Sequence, residues 1–437
     1  MKKINKLIDK LVDEIKYDKN VLRYVYNDQE EFIPSKTPIY YSGPYWNDIE
    51  LKEGVKAFLT GKWLSSGENV HKFEIAFSKK FNAGNSVMVN SGSSANLVMV
   101  AALKKVFDWK NNDEIIVSPV GFPTTIAPIV QNGLRPIFID IEWDTLNFDV
   151  TKIKESITEY TKAIFISPVL GNPPDFTLLT KIKEEYGIEL ILDNCDSLGS
   201  TWNGKYLNEY SIASSCSFYP AHHITTGEGG MVSSKSKEII DVARSFSWWG
   251  RDCYCIGSAN LLACGTCGNR FDNWLDSYNG KIDHKYVFSN MGYNLKPMDM
   301  QGALGLVQLE KFDEIHKKRK NSFIKISEII NNHLDNYTSV ISLDEASVSW
   351  FGVPIIAKKS GGSKQKLVDY LEENKIQTRP YFAGNILLHP AYKHLGKLDD
   401  FPNSNQVLDK VFFIGASPHY HDKIFSYIES VISGFDS

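Results

Sequence analysis

The stretch SVMVNSGSSANLVMVAALKKVF, Ser86 to Phe107, reads as a short β-branched strand that turns directly into a helix capped by Ser. Five further runs repeat the strand half of that signal. They are EIIVSPV (Glu114–Val120), PIFIDI (Pro136–Ile141), KAIFISPVL (Lys162–Leu170), IELILDN (Ile188–Asn194) and ASSCSFYP (Ala213–Pro220). Several are apolar throughout and do not alternate, as strands covered on both faces of a parallel sheet must be. The pattern predicts an α/β layered fold with a mostly parallel sheet. In such sheets the chemistry gathers at the carboxyl ends of the strands, so the residues just after each run carry the most information.

Composition narrows the function classes. The 437 residues include 48 Lys or Arg and 52 Asp or Glu, a net charge of -4, which argues against a nucleic-acid polymer as partner. The longest apolar run, Leu97 to Leu103, is far short of a membrane span. Six cysteines, at 195, 216, 253, 255, 264 and 267, are too few for a disulfide scaffold, and the start does not read as a signal peptide. A reducing cytoplasm is the expected setting. Ile4, Leu7, Ile8, Leu11, Val12 and Ile15 fall at helical spacing in an N-terminal segment, residues 1–35. A large domain over 36–310 follows, with a cysteine-rich insertion at about 251–280, and a small α/β domain over 311–437 closes the chain. Strands are expected there near Val340–Leu343, Trp350–Ile356 and Gln377–Arg379.

Four places combine reactive side chains with such turns. Asn90 to Ala95 opens a helix, where free N–H groups and hydroxyls suit a phosphate, although a plain Ser cap uses the same residues. Asp193 ends a strand and needs a cationic partner: a protonated pyridine nitrogen, a buried Arg, or a helix cap in their place. Phe122 follows EIIVSPV and is placed to stack on a flat ring or simply to join the core. His222 and His223 lie between the last run and the turn Gly227-Glu228-Gly229-Gly230, as an acid/base or as a structural pair. Arg251 and Arg379 are candidate substrate-phosphate contacts, with solvated or structural roles as the alternative.

Taken in order, WLSSGENVHKFE (Trp63–Glu74), SGSSAN (Ser91–Asn96), GFPTT (Gly121–Thr125), DNCDSLGS (Asp193–Ser200), SFYPAHHITTGEGG (Ser217–Gly230) and GYNLKPMDMQGA (Gly292–Ala303) resemble the nucleotide-sugar aminotransferases of the fold type I, or aspartate aminotransferase, superfamily. The resemblance implies that Ser93, Ser94 and Ser217 hold the phosphate of a pyridoxal or pyridoxamine 5′-phosphate (PLP or PMP). Phe122 then stacks on its ring, Asp193 pairs with its pyridine nitrogen, and Asp196 lies beside it where Gln is usual. Asn294 reaches the phosphate in a neighbouring subunit, which implies a homodimer.

One position departs from the aminotransferase pattern. Where those enzymes carry the Lys that binds the cofactor covalently, this sequence has His222. Imidazole cannot form that bond but can take a proton, so the expected cofactor is PMP held non-covalently. His in place of Lys resembles the sugar 3-dehydratases, in which the base removes a C4′ proton and the C3 hydroxyl leaves. WGRDCYC and TCGNRF further resemble the subgroup acting on CDP-4-keto-6-deoxy-D-glucose in dideoxysugar biosynthesis for lipopolysaccharide O-antigens. That subgroup holds a [2Fe–2S] cluster fed by a separate NADH-dependent flavin and iron–sulfur reductase. The implied ligands are Cys195, Cys253, Cys255 and Cys267, with Cys264 competing for the last place and Cys216 a buried small hydrophobe. Structural zinc, a cluster-free dehydratase and an inactive sugar-binding relative are the rival expectations.

Overall fold

The computed structural model describes residues 2–15, 31–61, 63–253, 270–271, 275–358 and 362–436. Cys255, Cys264 and Cys267 therefore lie outside the described residues. The six sequence runs, joined by Gly230–Ser234, form a seven-stranded sheet in the order Asn85–Val89, Gly230–Ser234, Ala213–Ser217, Glu189–Asp193, Thr161–Ile166, Glu114–Val117, Arg135–Phe138. The last five pair in parallel. Gly230–Ser234 alone runs antiparallel, wedged between Asn85–Val89 and Ala213–Ser217.

Alternate residues of each strand feed opposite faces. Val87, Val89, Ile115 and Val117 pack with the helices Gly92–Val106, Pro123–Gln131 and Lys237–Ser247. On the other face, Ile164, Ile166, Leu190 and Leu192 meet Phe176–Tyr186, while Met88, Cys216 and Met231 meet Glu68–Lys80. Covered on both sides, these strands have no need of polar alternation, and each fully buried Leu, Ile or Phe contributes about 1.5–3 kcal/mol. Cys216 is 2% exposed within this core, as a small hydrophobe would be.

An uninterrupted helix, Asp299–His333, leaves this layer and continues under a second, antiparallel sheet. That sheet runs Tyr337–Ser339, Gly352–Ala357, Val411–Gly415, Thr378–Pro380. The first of these strands precedes the expected one near Val340–Leu343, and Val411–Gly415 supplies the sheet's buried inner strand. Near its start the long helix crosses Glu68–Lys80 at a distance only glycine allows: a Cβ on Gly302 would stand 2.3 Å from the backbone nitrogen of Val70. Gly302→Ala is expected to destabilise the fold by about 1–3 kcal/mol through overpacking, read as a lower urea midpoint at unchanged slope.

The N-terminal helix forms over Lys2–Ile15 and buries Ile8 and Val12, while Leu7 and Leu11 stay exposed. Among the described residues no helix is long and apolar enough to cross a membrane.

Candidate active site

The carboxyl ends of the parallel strands open onto a cavity of about 300 Å³. Ser91, Gly92 and Ser93 reach it from the helix start, Phe122 from the turn after Glu114–Val117, and Asp193, Cys195 and Asp196 from the end of Glu189–Asp193. Ser217, Tyr219 and His222 enter from the turn after Ala213–Ser217; Phe351, Phe382 and Tyr41 close the far side. Six of the eight predicted cofactor and catalytic residues thus line one cavity, namely Ser93, Phe122, Asp193, Asp196, Ser217 and His222.

Ser91, not Ser93 or Ser94, caps the helix: its Oγ accepts from the Ser94 N–H at 3.1 Å. That frees Ser93 to face the cavity. The helix start also lies hard against the neighbouring strand, since a Cβ on Gly92 would fall 2.4 Å from Ser217 Cβ. N–H groups at a helix start, the positive dipole end and the hydroxyls of Ser93 and Ser217 form a cradle that fits a phosphate.

Asp193 is 5% exposed and fixed from several sides. Oδ2 accepts from Thr125 Oγ1 at 2.6 Å and Asn96 Nδ2 at 2.7 Å; Oδ1 accepts from the Cys195 N–H at 3.2 Å and Ser215 Oγ at 3.4 Å. No salt bridge reaches it among the described residues, so a cation from within the cavity is the missing complement. A protonated pyridine nitrogen has the right charge and shape. Phe122, 52% exposed, sets its ring edge-on to Phe382 at 5.9 Å and leaves a flat wall for such a ring.

The two adjacent histidines part company. His223 is 2% exposed and donates Nε2–H to the Ser349 carbonyl at 2.9 Å, so it ties the turn to the second sheet's approach. His222 lines the cavity, its ring 5.2 Å from that of Phe351. Its Nδ1 stands 3.6 Å from Asp196 Oδ1 and has no hydrogen-bond partner. Burial and the nearby Arg319 push His222 down to about 3, while burial and the Asp193 carboxylate push Asp196 up to about 7. The pair is therefore a neutral imidazole beside a carboxyl poised to titrate near neutrality, and not an ion pair. Asp196 is steadied by the Leu170 N–H at 3.3 Å, from a turn in which Leu170 takes a left-handed φ of 54°. Among the described residues no lysine lines the cavity.

Asn294 and Ser94 stand apart from the cavity wall: Asn294 is exposed and bonded to Lys296, and Ser94 turns to Ser91. Cys195 lies in the cavity wall as a free thiol, raised by burial and by Asp193. Cys253 is buried, and its sulfur meets His284 Nε2 at 3.1 Å. Among the described residues no three His, Cys, Asp or Glu side chains gather as a metal site. Sequence reading missed Tyr41, Phe351 and Phe382, which arrive from distant parts of the chain, and Asn96 and Thr125, which sit inside the quoted motifs.

Comparison with known proteins gives the same setting. Residues 47–433 match the model of the DegT/DnrJ/EryC1/StrS aminotransferase family. The chain is 37% identical over 423 residues to dTDP-4-dehydro-2,6-dideoxy-D-glucose 3-dehydratase of Saccharopolyspora spinosa, covering 95% of this chain and 90% of that one. It is 36% identical over 371 residues to GDP-4-keto-6-deoxy-D-mannose 3-dehydratase of Yersinia pseudotuberculosis, covering 83% and 88%. The solved structure of Escherichia coli GDP-4-keto-6-deoxy-D-mannose-3-dehydratase with bound hydrated PLP superposes with a TM-score of 0.79, at 30% identity over 91% of this chain and 100% of that one.

Proposed function

Because the chain belongs to the DegT/DnrJ/EryC1/StrS aminotransferase family, we propose that it is a PMP-dependent nucleotide-sugar 3-dehydrase. It removes the C3 hydroxyl of an NDP-4-keto-6-deoxyhexose, which we assign as CDP-4-keto-6-deoxy-D-glucose, on the way to a 3,6-dideoxysugar. The observation that carries this reading is a family cavity walled by His222, with no lysine among the described residues that line it. Relatives named as 3-dehydratases of dTDP- and GDP-linked sugars support the reaction class.

The residues present fit the cofactor. Ser93 and Ser217 would hold its phosphate, joined by Ser94 once its hydroxyl turns from Ser91, with Phe122 on its ring face, Asp193 at its pyridine nitrogen and Asp196 beside the ring. When bound, the cofactor supplies an amine for the sugar ketone and a ring that stabilises the electron pair left as a C4′ proton departs. His222 takes that proton. Its Nδ1 faces Asp196 at 3.6 Å, so Nε2 is the nitrogen assigned to accept the proton, and burial keeps the imidazole neutral for the purpose. Phe351, Phe382 and Tyr219 keep water from the reacting atoms.

We assign Cys195, Cys253, Cys255 and Cys267 to a [2Fe–2S] cluster that receives electrons from a separate NADH-dependent reductase. Two observations support it: Cys195 is a free thiol at the cavity wall, and the buried Cys253 sulfur faces an imidazole nitrogen, as cluster thiolates face donors. The homodimer rests on Asn294 and on an exposed apolar strip, where Trp63 and Leu64 adjoin Met298 through the Ser65–Met298 bridge.

Anaerobically purified protein is expected to contain iron and acid-labile sulfide in equal amounts and to absorb in the visible, where zinc does not. With PMP and a reductase it converts the CDP-linked sugar in preference to its dTDP and GDP counterparts. An iron-free preparation of full activity would sink the cluster; conversion of none of the three sugars would sink the dehydrase.

A further inference from the structure

Arg319 is 1% exposed in the middle of the helix Asp299–His333, on a stripe that it shares with Ile315, Ser322 and Ile326. No salt bridge reaches it among the described residues; its bonds go to three main-chain carbonyls and one hydroxyl. Nη2 donates to the carbonyls of Ala221 and His222, each at 3.0 Å, and to Ser42 Oγ at 3.3 Å; Nη1 donates to the Phe351 carbonyl at 3.2 Å, and Nε has no partner. Burying a cation without a counter-ion is costly, and an apolar side chain of similar volume would pack this place more cheaply. The acceptors show what the charge is kept for. They belong to the segment before the second sheet, to the approach of Gly352–Ala357, and to the turn that presents His222.

We infer that Arg319 is the positioning residue of the proton-abstracting base: it pins the main chain of Ala221 and His222 at the cavity wall, and its charge disfavours an imidazolium there. The inference rests on the reading of His222 as that base. Around the imidazole, Asp196 faces it from the loop after Glu189–Asp193 and Tyr219 from its own turn, while His223 adjoins it in sequence. Tyr41 and Tyr420 lie within electrostatic reach of Arg319, and His316 within reach of His223. Asp196 alone would favour a charged imidazole, and its Oδ1 stands 3.6 Å from Nδ1 with no hydrogen bond between them. Burial and Arg319 lower His222, and burial lowers Arg319 itself to about 10, still a cation at neutral pH.

The sign of the effect is fixed. The base works only when neutral, so exchange of the C4′ proton falls as pH drops through the His222 pKa, and a cation beside it moves that fall to lower pH. Exchange on PMP-loaded enzyme, followed by deuterium incorporation against pH, separates charge from packing. Wild type should keep its rate well below pH 6. Arg319→Met should move the acid limb up towards the ordinary imidazole value of about 6.5. Arg319→Lys, which keeps the charge and loses the fork, should keep the wild-type limb and lower the rate by about ten- to a hundred-fold. An acid limb in Arg319→Met that superimposes on the wild-type one would overturn the inference. If Arg319→Met does not fold, the wild-type His222 ring, labelled at Cε1 and identified by its loss in His222→Asn, decides the matter by NMR. A signal that titrates near 6.5 overturns the inference; one that stays neutral to pH 5 in wild type and titrates at higher pH in Arg319→Gln supports it, since burial alone would leave the two alike. Full exchange in His222→Asn would instead remove the base itself, a failure of the proposed function and distinct from either result on Arg319.

Discussion

His222→Asn is expected to abolish measurable exchange of the C4′ proton, a fall of about 10²- to 10⁴-fold, the usual contribution of a positioned base. The substitution keeps the size and a polar tip and removes the lone pair that can hold a proton. PMP should bind with unchanged affinity, because Asp193, Phe122 and Ser93 sit on other elements and Ser217 belongs to the strand before the turn. The [2Fe–2S] spectrum should also persist, since none of its proposed ligands lies on this turn. Deuterium washout followed by mass spectrometry gives the rate directly. Exchange that survives in the variant would move the role to another cavity group, Tyr219 or Glu228, both of which line the same space. His223 is no substitute, because it is buried away from the cavity lining, with its Nε2–H committed to the Ser349 carbonyl.

Asp193→Asn is the second large effect. The native carboxylate is buried, and its two oxygens accept from Thr125, Asn96, the Cys195 N–H and Ser215. That set leaves one charge to be neutralised and no donor to be accommodated. An amide at this position would bring N–H groups against groups that already donate, and it could not balance a protonated ring. Breaking a buried pair in this way costs about 3–5 kcal/mol, so PMP affinity is expected to fall by roughly 10²- to 10⁴-fold. Titration of the apo-protein with PMP, read by absorbance, measures it. Affinity within a factor of about three of wild type, less than 1 kcal/mol, would mean that the ring nitrogen is not at Asp193.

Much of the fold was legible because the inner strands are covered on both faces. Apolar runs such as EIIV and ELILD, bounded by turns, predict strand and location together. Gly230–Ser234 escaped that reading: GMVSS is half serine and glycine, yet every residue of it is buried. Its small side chains fit beneath the turn of Ser91, where a Cβ on Gly230 would come within 2.2 Å of the Ser91 carbonyl. Asp193, Phe122, Ser93 and His222 were legible because each follows a strand. Tyr41, Phe351 and Phe382 were not, since only the closed chain brings them opposite the sheet. Arg319 was hidden differently. In KKRK it reads as part of a solvated charged face, and only its helical spacing from Ile315 and Ile326 places it inside.

The helix Asp299–His333 runs unbroken from the seven-stranded sheet to the four-stranded one. It has no proline, and its glycines, at 302 and 305, are locked against Val70 and Phe73 near one end. At 1.5 Å per residue it is a beam roughly 50 Å long, packed on both layers. Arg319 is fastened to that beam and holds the carbonyl of His222, so a shear of one layer against the other would be felt at the imidazole. The stiffness of a scaffold element far from the cofactor thereby becomes part of the tolerance to which the base is set.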